Sequence, residues 1–138
     1  LSSLGALLRF RTSIDRRLSE IAICAVGAHC HSEFEHWAHA PMAIEHGASE
    51  SVIAAMRAGQ RPDFEFDVER TVDAVVTQLL EDRRVATTTY AAAAQLLGER
   101  GLVELVSTIG YSCMISLTLE LFEVGLPDGE TPSWPDAS

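Results

Sequence analysis

The sequence predicts a single all-α domain of about six helices, and three observations support this. Apolar residues recur at intervals of three and four along most of the chain, as they do on one face of a helix. No stretch longer than a few residues alternates with the period of a strand. Glycine follows several of the apolar segments, where helices commonly end. At 138 residues the chain is long enough for one core but not for two.

In chain order, residues 1–8 are apolar and predict the end of an earlier helix. Two capping-box patterns, a hydroxyl followed three residues later by a carboxylate, then mark helix starts at Thr12 and at Ser32. Pro41 removes a backbone donor, so we expect a kink or a local break there. The helices are predicted at residues 13–28, 32–46 (stopping at Gly47), 49–59, 67–83, 87–97 (closed by Gly98) and 102–124.

The last predicted helix, 102–124, is long and apolar but carries interspersed polar residues. These interruptions favour a buried core helix or a subunit-interface helix over a membrane span. The chain after Pro127 is rich in proline, aspartate and serine. We therefore expect a helical domain over residues 1–127 and a flexible C-terminal tail over residues 128–138.

Composition excludes several functions. The formal charge of −10 and the pI near 4.8 argue against nucleic acid and against an anionic membrane as partners. All ten basic residues are arginine, which excludes a lysine Schiff base, covalently attached pyridoxal phosphate and a Walker A lysine. No secretory leader pattern opens the chain, and the three cysteines form no CxxC pair. We expect a cytoplasmic protein with reduced thiols and no cofactor.

All five histidines lie between residues 29 and 47. Within this stretch Glu35 and His39 are four residues apart, so their side chains share a helix face. A carboxylate beside an imidazole suits a general acid or base near neutral pH. Ser32 lies one turn earlier on that face, and Glu20 would reach it if the two helices pack antiparallel. The alternatives are a simple capping box and a solvated ion pair.

A metal site is the next alternative, because imidazoles and carboxylates three and four residues apart, such as His36 and His39, can share one ion. The HExxH and zinc-finger spacings are absent, and we predict no metal. Cys30 precedes a helix N-terminus but has no resolving cysteine nearby, which favours a bystander role. Cys24 and Cys113 lie in apolar helical segments and are predicted core residues.

Several segments together resemble the carboxymuconolactone decarboxylase family, which includes the alkylhydroperoxidase D-like proteins. They are LSEIAICAV, which contains Glu20, then FEHWAHAPMAIEHGAS, then RRVATTTY, and finally Leu96 to Pro127. The resemblance therefore runs in order through nearly the whole chain. It implies an all-helical, alkylhydroperoxidase D-like domain that forms homotrimers or homohexamers, with active sites near the subunit contacts.

Two branches of that family imply different chemistry. The hydroperoxidase branch has a glutamate, a CxxC pair and a histidine, which correspond here to Glu20, to Ser32 and Glu35, and to His39. Since both cysteines are replaced, disulfide-based peroxidase activity of the CxxC type is disfavoured. The decarboxylase-like branch has an aromatic residue, a glutamate and a tryptophan before the histidine. This chain departs from it at His36, where the tryptophan is expected.

The resemblance therefore implies a cofactor-free lyase that acts on a small unsaturated lactone or cyclic keto acid. His39 would donate the proton, Glu35 would orient it and Glu20 would complete a relay. An isomerase or cyclase acting on a secondary metabolite and a non-catalytic ligand-binding oligomer remain alternatives. The predicted substrate-binding residues are Ser32, His36, Arg9, Arg11 and Tyr111.

Overall fold

The computed structural model describes residues 2–134, in which the chain forms helices and no strand. The prediction of an all-α domain with about six helices is confirmed. The helices are α1 (Ser2–Phe10), α2 (Arg16–His29), α3 (Glu33–Glu45), α4 (Glu50–Arg57), α5 (Asp67–Asp82) and α6 (Thr87–Leu121).

Helix α2 lies at the centre of the core. Every residue from Leu18 to Gly27 is buried, and α2 packs against α3, α4, α5 and α6. A helix that is apolar on nearly all sides is stable only when neighbours cover it. The buried segment includes one charged residue, Glu20, which is 1% exposed. An acidic side chain is thereby held inside the core, where it needs partners.

The capping predictions are partly wrong. Helix α2 begins at Arg16 and not at residue 13, and its cap is Asp15, whose carboxylate accepts a 2.9 Å hydrogen bond from the backbone N–H of Arg17. The carboxylate thus satisfies an N-terminal donor itself. Ser32 does precede α3 as its N-cap, but its side chain makes no capping hydrogen bond. Glu35, the expected partner in that capping box, is buried.

Two glycines end helical segments as predicted. Gly47 has a φ of 103° just after α3, and Gly98 has φ 71° and ψ 172° inside α6. The Gly98 conformation is accessible to almost no other residue. It divides α6 into an N-terminal arm, 87–97, and a C-terminal arm, 99–121, which correspond to the two helices predicted there. Helix α3 continues through Pro41, so the chain has no local break at that proline.

The C-terminal arm of α6 is buried on one side only. Leu105 and Ile109 face the core, whereas the opposite side, here called the outer face, exposes apolar residues. Among residues 2–134, α6 is the one helix that is long and apolar enough to cross a membrane. In the structure, 28% of its most apolar 18-residue window is buried. The outer face consists of Val103, Val106, Met114, Leu117 and Leu121.

The described part of the predicted tail, up to Trp134, contacts the helical body. The Glu33 carboxylate accepts hydrogen bonds from the backbone N–H groups of Ser133 (2.7 Å) and Trp134. The Trp134 ring stacks on His31 at 5.3 Å, and its Nε1–H donates to the Arg57 carbonyl. The remainder of the predicted tail, 135–138, lies outside the described residues.

Candidate active site

A short turn places α3 against α2 and so brings the predicted acid–base residues together. The turn covers residues 30–32 and contains His31 with a φ of 49°. Beyond it, α3 passes close to α2 at Gly27, where a Cβ would lie 3.2 Å from the His36 backbone nitrogen. Glycine at this point therefore lets the two helix backbones approach closely.

His39 of α3 and Glu20 of α2 form the central contact of the site. The His39 Nδ1 atom lies 2.6 Å from Glu20 Oε2, and the second Glu20 oxygen lies 3.6 Å from Arg16 Nε. When the Nδ1 proton is donated to this carboxylate, Nε2 is left as the ring nitrogen that can exchange a proton with a ligand. The carboxylate in hydrogen-bonding contact with the His39 ring is thus that of Glu20.

Glu35 lies beside this pair and has a different environment. Glu35 as a whole is 6% exposed. Burial raises the pKa of Glu35, and the charge of Glu20 acts in the same direction, whereas His39 and Arg9 oppose the rise. The protonated, neutral form of Glu35 is thereby favoured relative to an exposed glutamate. The two acidic groups of the site thus differ in their surroundings: Glu20 contacts the His39 ring, whereas the raised pKa of Glu35 suits it to hold a proton.

These side chains border a small, partly open cavity of about 50 Å³ that is lined by residues of α1, α2, α3 and α6. Helix α1 supplies Arg9, whose Nε atom is buried without a hydrogen-bond partner among the described residues. Ser19 of α2 likewise has a buried hydroxyl without one. A positive charge and a free hydroxyl beside an imidazole are suited to an anionic ligand. The lining residues are Gly5, Leu8, Arg9, Ser19, Glu20, Ile23, Glu35, His39, Thr108, Tyr111 and Ser112.

Of the eight predicted site residues, five line this cavity and three do not. The five are Glu20, Glu35, His39, Arg9 and Tyr111. Tyr111 is accommodated because α1 carries a glycine opposite it: a Cβ at Gly5 would lie 2.6 Å from the tyrosine hydroxyl.

The three predicted residues that do not line the cavity are Ser32, His36 and Arg11, and the structure gives a reason for each. Ser32 is the buried N-cap of α3, and Arg11 is exposed after the end of α1. His36 is buried on another side of α3, where Nδ1 lies 3.4 Å from the Cys24 carbonyl and the ring meets the Trp134 ring edge-on. Burial lowers the pKa of His36, which favours its neutral form.

Sequence reasoning missed three hydroxyl residues of the lining, Ser19, Thr108 and Ser112. Thr108 and Ser112 are four residues apart in the last helix, so they share a face. This spacing was the signal in the sequence that could have identified them, because polar side chains on the buried face of a helix need hydrogen-bonding partners. In the part of the chain that the structure describes, no three histidine, cysteine, aspartate or glutamate side chains converge as metal ligands do.

Comparison with known proteins supports the fold. No protein-family model and no curated protein matches the chain. Among solved structures it is similar to the crystal structure of a protein of unknown function from Agrobacterium tumefaciens, provisionally named an antioxidant defence protein, AhpD. The TM-score is 0.77 at 15% identity, over 91% of this chain and 87% of the other. The chain therefore has an AhpD-like fold.

Proposed function

We propose that this chain is a cofactor-free lyase that decarboxylates a small unsaturated lactone acid or cyclic keto acid, in the manner of 4-carboxymuconolactone decarboxylase. The observation that carries the proposal is the 2.6 Å contact between His39 Nδ1 and the buried Glu20 carboxylate, on the wall of a cavity that also holds Glu35 and Arg9. This is the arrangement of a positioned general acid.

The proposed reaction uses these groups in sequence. Arg9 binds the substrate carboxylates through its guanidinium. The bond between the ring carbon and one carboxylate breaks, carbon dioxide leaves, and the electron pair stays on the substrate as a dienolate. His39, protonated at Nε2 and held by Glu20, delivers a proton to the dienolate carbon. Glu35, whose pKa is raised by burial, hydrogen-bonds the developing oxyanion in its protonated form.

Substrate entry requires the cavity to widen. A volume of about 50 Å³ is room for one or two water molecules, whereas a lactone acid is several times larger. Helix α1 forms one wall through Gly5, Leu8 and Arg9, and it packs mainly against α2 and α6, with one hydrogen bond from Arg9 to the Met42 sulfur of α3. We expect α1 to move outward when the substrate binds.

The test is turnover of 4-carboxymuconolactone, followed through carbon dioxide release and ring absorbance. We expect His39→Ala to lose at least about 100-fold in kcat, as removal of a general acid usually does. Loss of the charged hydrogen bond in Glu20→Gln should cost about 1.5–3 kcal/mol, or about 10–100-fold. His46→Ala, an exposed histidine just after the same helix, is the matched control and should retain full turnover.

Full activity of His39→Ala would reject the assignment of the general acid. An active protein that releases no carbon dioxide from any cyclic acid would instead favour an isomerase or cyclase with the same residues.

The small volume of the cavity favours a second candidate, a non-catalytic protein that binds a small ligand. In that case the wild type would be inactive, and a small carboxylic acid would raise its melting temperature unless Arg9 were replaced by glutamine.

The assembly that we propose is a homotrimer or homohexamer located in the cytoplasm. The outer face of α6 places apolar residues such as Met114, Leu117 and Leu121 at intervals of three and four, on one side of the helix, where they are exposed. Light scattering on the wild type and on Leu117→Glu tests this: the introduced charge should shift the measured mass toward that of a monomer.

The antioxidant description of the Agrobacterium protein is not extended to this chain, because Ser32 and Glu35 stand where the peroxidase branch has its thiols.

A further inference from the structure

A second pocket, here called the α5 pocket, shares no lining residue with the His39 cavity. It has a volume of about 380 Å³, which is within the usual range of small-molecule sites. It lies between the C-terminal end of α2, the segment after α4 and one face of α5. The buried residues Ala25 and Met56 give it an apolar part, which suits the carbon chain of a ligand.

Helix α5 contributes three polar residues to this pocket, Asp73, Thr77 and Glu81. Because they are four residues apart, they lie on one face of the helix, with the two acidic residues about 12 Å apart along its axis. His29 of α2 contacts this row: its Nε2 atom lies 3.2 Å from Thr77 Oγ1, and its Nδ1 atom lies 3.8 Å from Glu81 Oε1. The pocket therefore has two well-separated carboxylates.

Asp73 is the carboxylate that lacks a partner. Its side chain is half-buried, and no described residue donates a hydrogen bond to it or forms an ion pair with it. Burial raises the pKa of Asp73, whereas the charges of His29 and Arg61 oppose the rise. A carboxylate in such surroundings is stabilised by a ligand that brings a cationic hydrogen-bond donor.

Arg61 supplies the positive charge of the pocket. It lies in the segment after α4, lines the pocket and is exposed, and its guanidinium has no hydrogen-bond or ion-pair partner among the described residues. Its charge acts on Asp73, which places it toward that end of the row. A guanidinium in this position is suited to bind a carboxylate. The pocket thus presents a negative and a positive group together and a second negative group farther along α5.

We propose that the α5 pocket binds an α-amino acid with a cationic side chain, such as lysine. Asp73 binds the α-ammonium group, Arg61 binds the α-carboxylate, and Glu81 binds the side-chain cation, so that all three charges of the ligand are matched. Charge-assisted hydrogen bonds of about 2.8 Å at both acidic residues leave about 6 Å between the two cationic groups. An extended lysine side chain spans this distance.

The experiment titrates the full chain with L-lysine by isothermal titration calorimetry and compares three analogues that each lack one charge. The α-ammonium is missing from ε-aminocaproic acid, the carboxylate from cadaverine, and the side-chain ammonium from norleucine. We expect ε-aminocaproic acid to bind about 10-fold more weakly than lysine, because it leaves Asp73 without a donor. Cadaverine and norleucine should bind about 2–5-fold more weakly, because Arg61 and Glu81 are exposed.

Three variants match the three analogues. Asp73→Asn, Arg61→Gln and Glu81→Gln should each weaken lysine binding by the factor of the corresponding analogue. Norleucine should bind Glu81→Gln as well as it binds the wild type, since the charge that it lacks has no partner there. Asp82→Asn, at an exposed neighbour that does not line the pocket, is the matched control and should bind lysine as the wild type does.

The proposal would be overturned by a wild type that does not bind lysine. Equal affinity for lysine and ε-aminocaproic acid, or an Asp73→Asn variant with unchanged lysine affinity, would overturn it as well. The α5 pocket is independent of the proposed lyase activity, because His39 takes no part in it. His39→Ala should therefore bind lysine as tightly as the wild type even when it releases no carbon dioxide.

Discussion

Replacement of Glu35 by glutamine should make the protein more stable and less active. Glu35 is 6% exposed, and the pKa of its carboxyl is raised first by burial. Glutamine has nearly the same shape as a protonated glutamate but never ionises. The variant therefore keeps the packing of α3 and removes the cost of a charge in the core. A gain in stability that accompanies a loss of activity is typical of functional residues.

The pH dependence follows from proton binding in the two states. Below the ordinary glutamate value of 4.5, both the folded and the unfolded chain are protonated at Glu35, and the two proteins differ little. Above it the unfolded chain releases this proton first, so the wild type loses stability as the pH rises through the folded pKa. The advantage of Glu35→Gln should thus grow with pH above about 4.5 and then remain constant.

The size of the gain is limited by the neighbours of the carboxyl. The charges of His39 and Arg9 offset part of the burial cost, while Glu20 adds to it. We therefore expect about 0.5–2 kcal/mol at pH 8, a usual gain when a function-related strain is removed. With an m-value near 2 kcal/mol/M, the urea midpoint would rise by about 0.3–1 M.

The assay is urea unfolding of the wild type and of Glu35→Gln at pH 4.5, 6 and 8, followed by circular dichroism. Glu45→Gln, at the exposed end of the same helix, is the matched control and should change the midpoint little at any pH. The reasoning would be refuted by a Glu35→Gln variant that is equally destabilised at all three pH values. That result would mean that the ionised carboxylate stabilises the fold.

Two further predictions concern segments away from the cavity. Gly98→Ala forces a side chain into φ 71°, ψ 172° and should lower the free energy of unfolding by about 1–3 kcal/mol; an unchanged urea midpoint would mean that α6 does not need this bend. Trp134→Ala removes the stacking on His31 and the hydrogen bond to Arg57 and should cost about 1–2 kcal/mol. Trp37→Ala, at an exposed tryptophan, is its control and should cost less.

The sequence by itself determined the elements whose cause is local. Helical periodicity predicted an all-α chain, and Gly47 and Gly98 ended helical segments because each has a backbone conformation that favours glycine. The pairing of Glu35 with His39 on one side of α3 also follows from a spacing of four residues. Local signals were misleading at Asp15 and Ser32, where two capping boxes were predicted and neither formed as expected.

Only the tertiary structure decided which distant side chains meet. Glu20 reaches His39 because α3 packs along α2 where Gly27 permits a close approach. His36, in the same histidine-rich stretch, is directed away from the cavity because it lies on another side of α3. Periodicity indicates which residues share a helix face, but only the packing of helices determines what that face contacts.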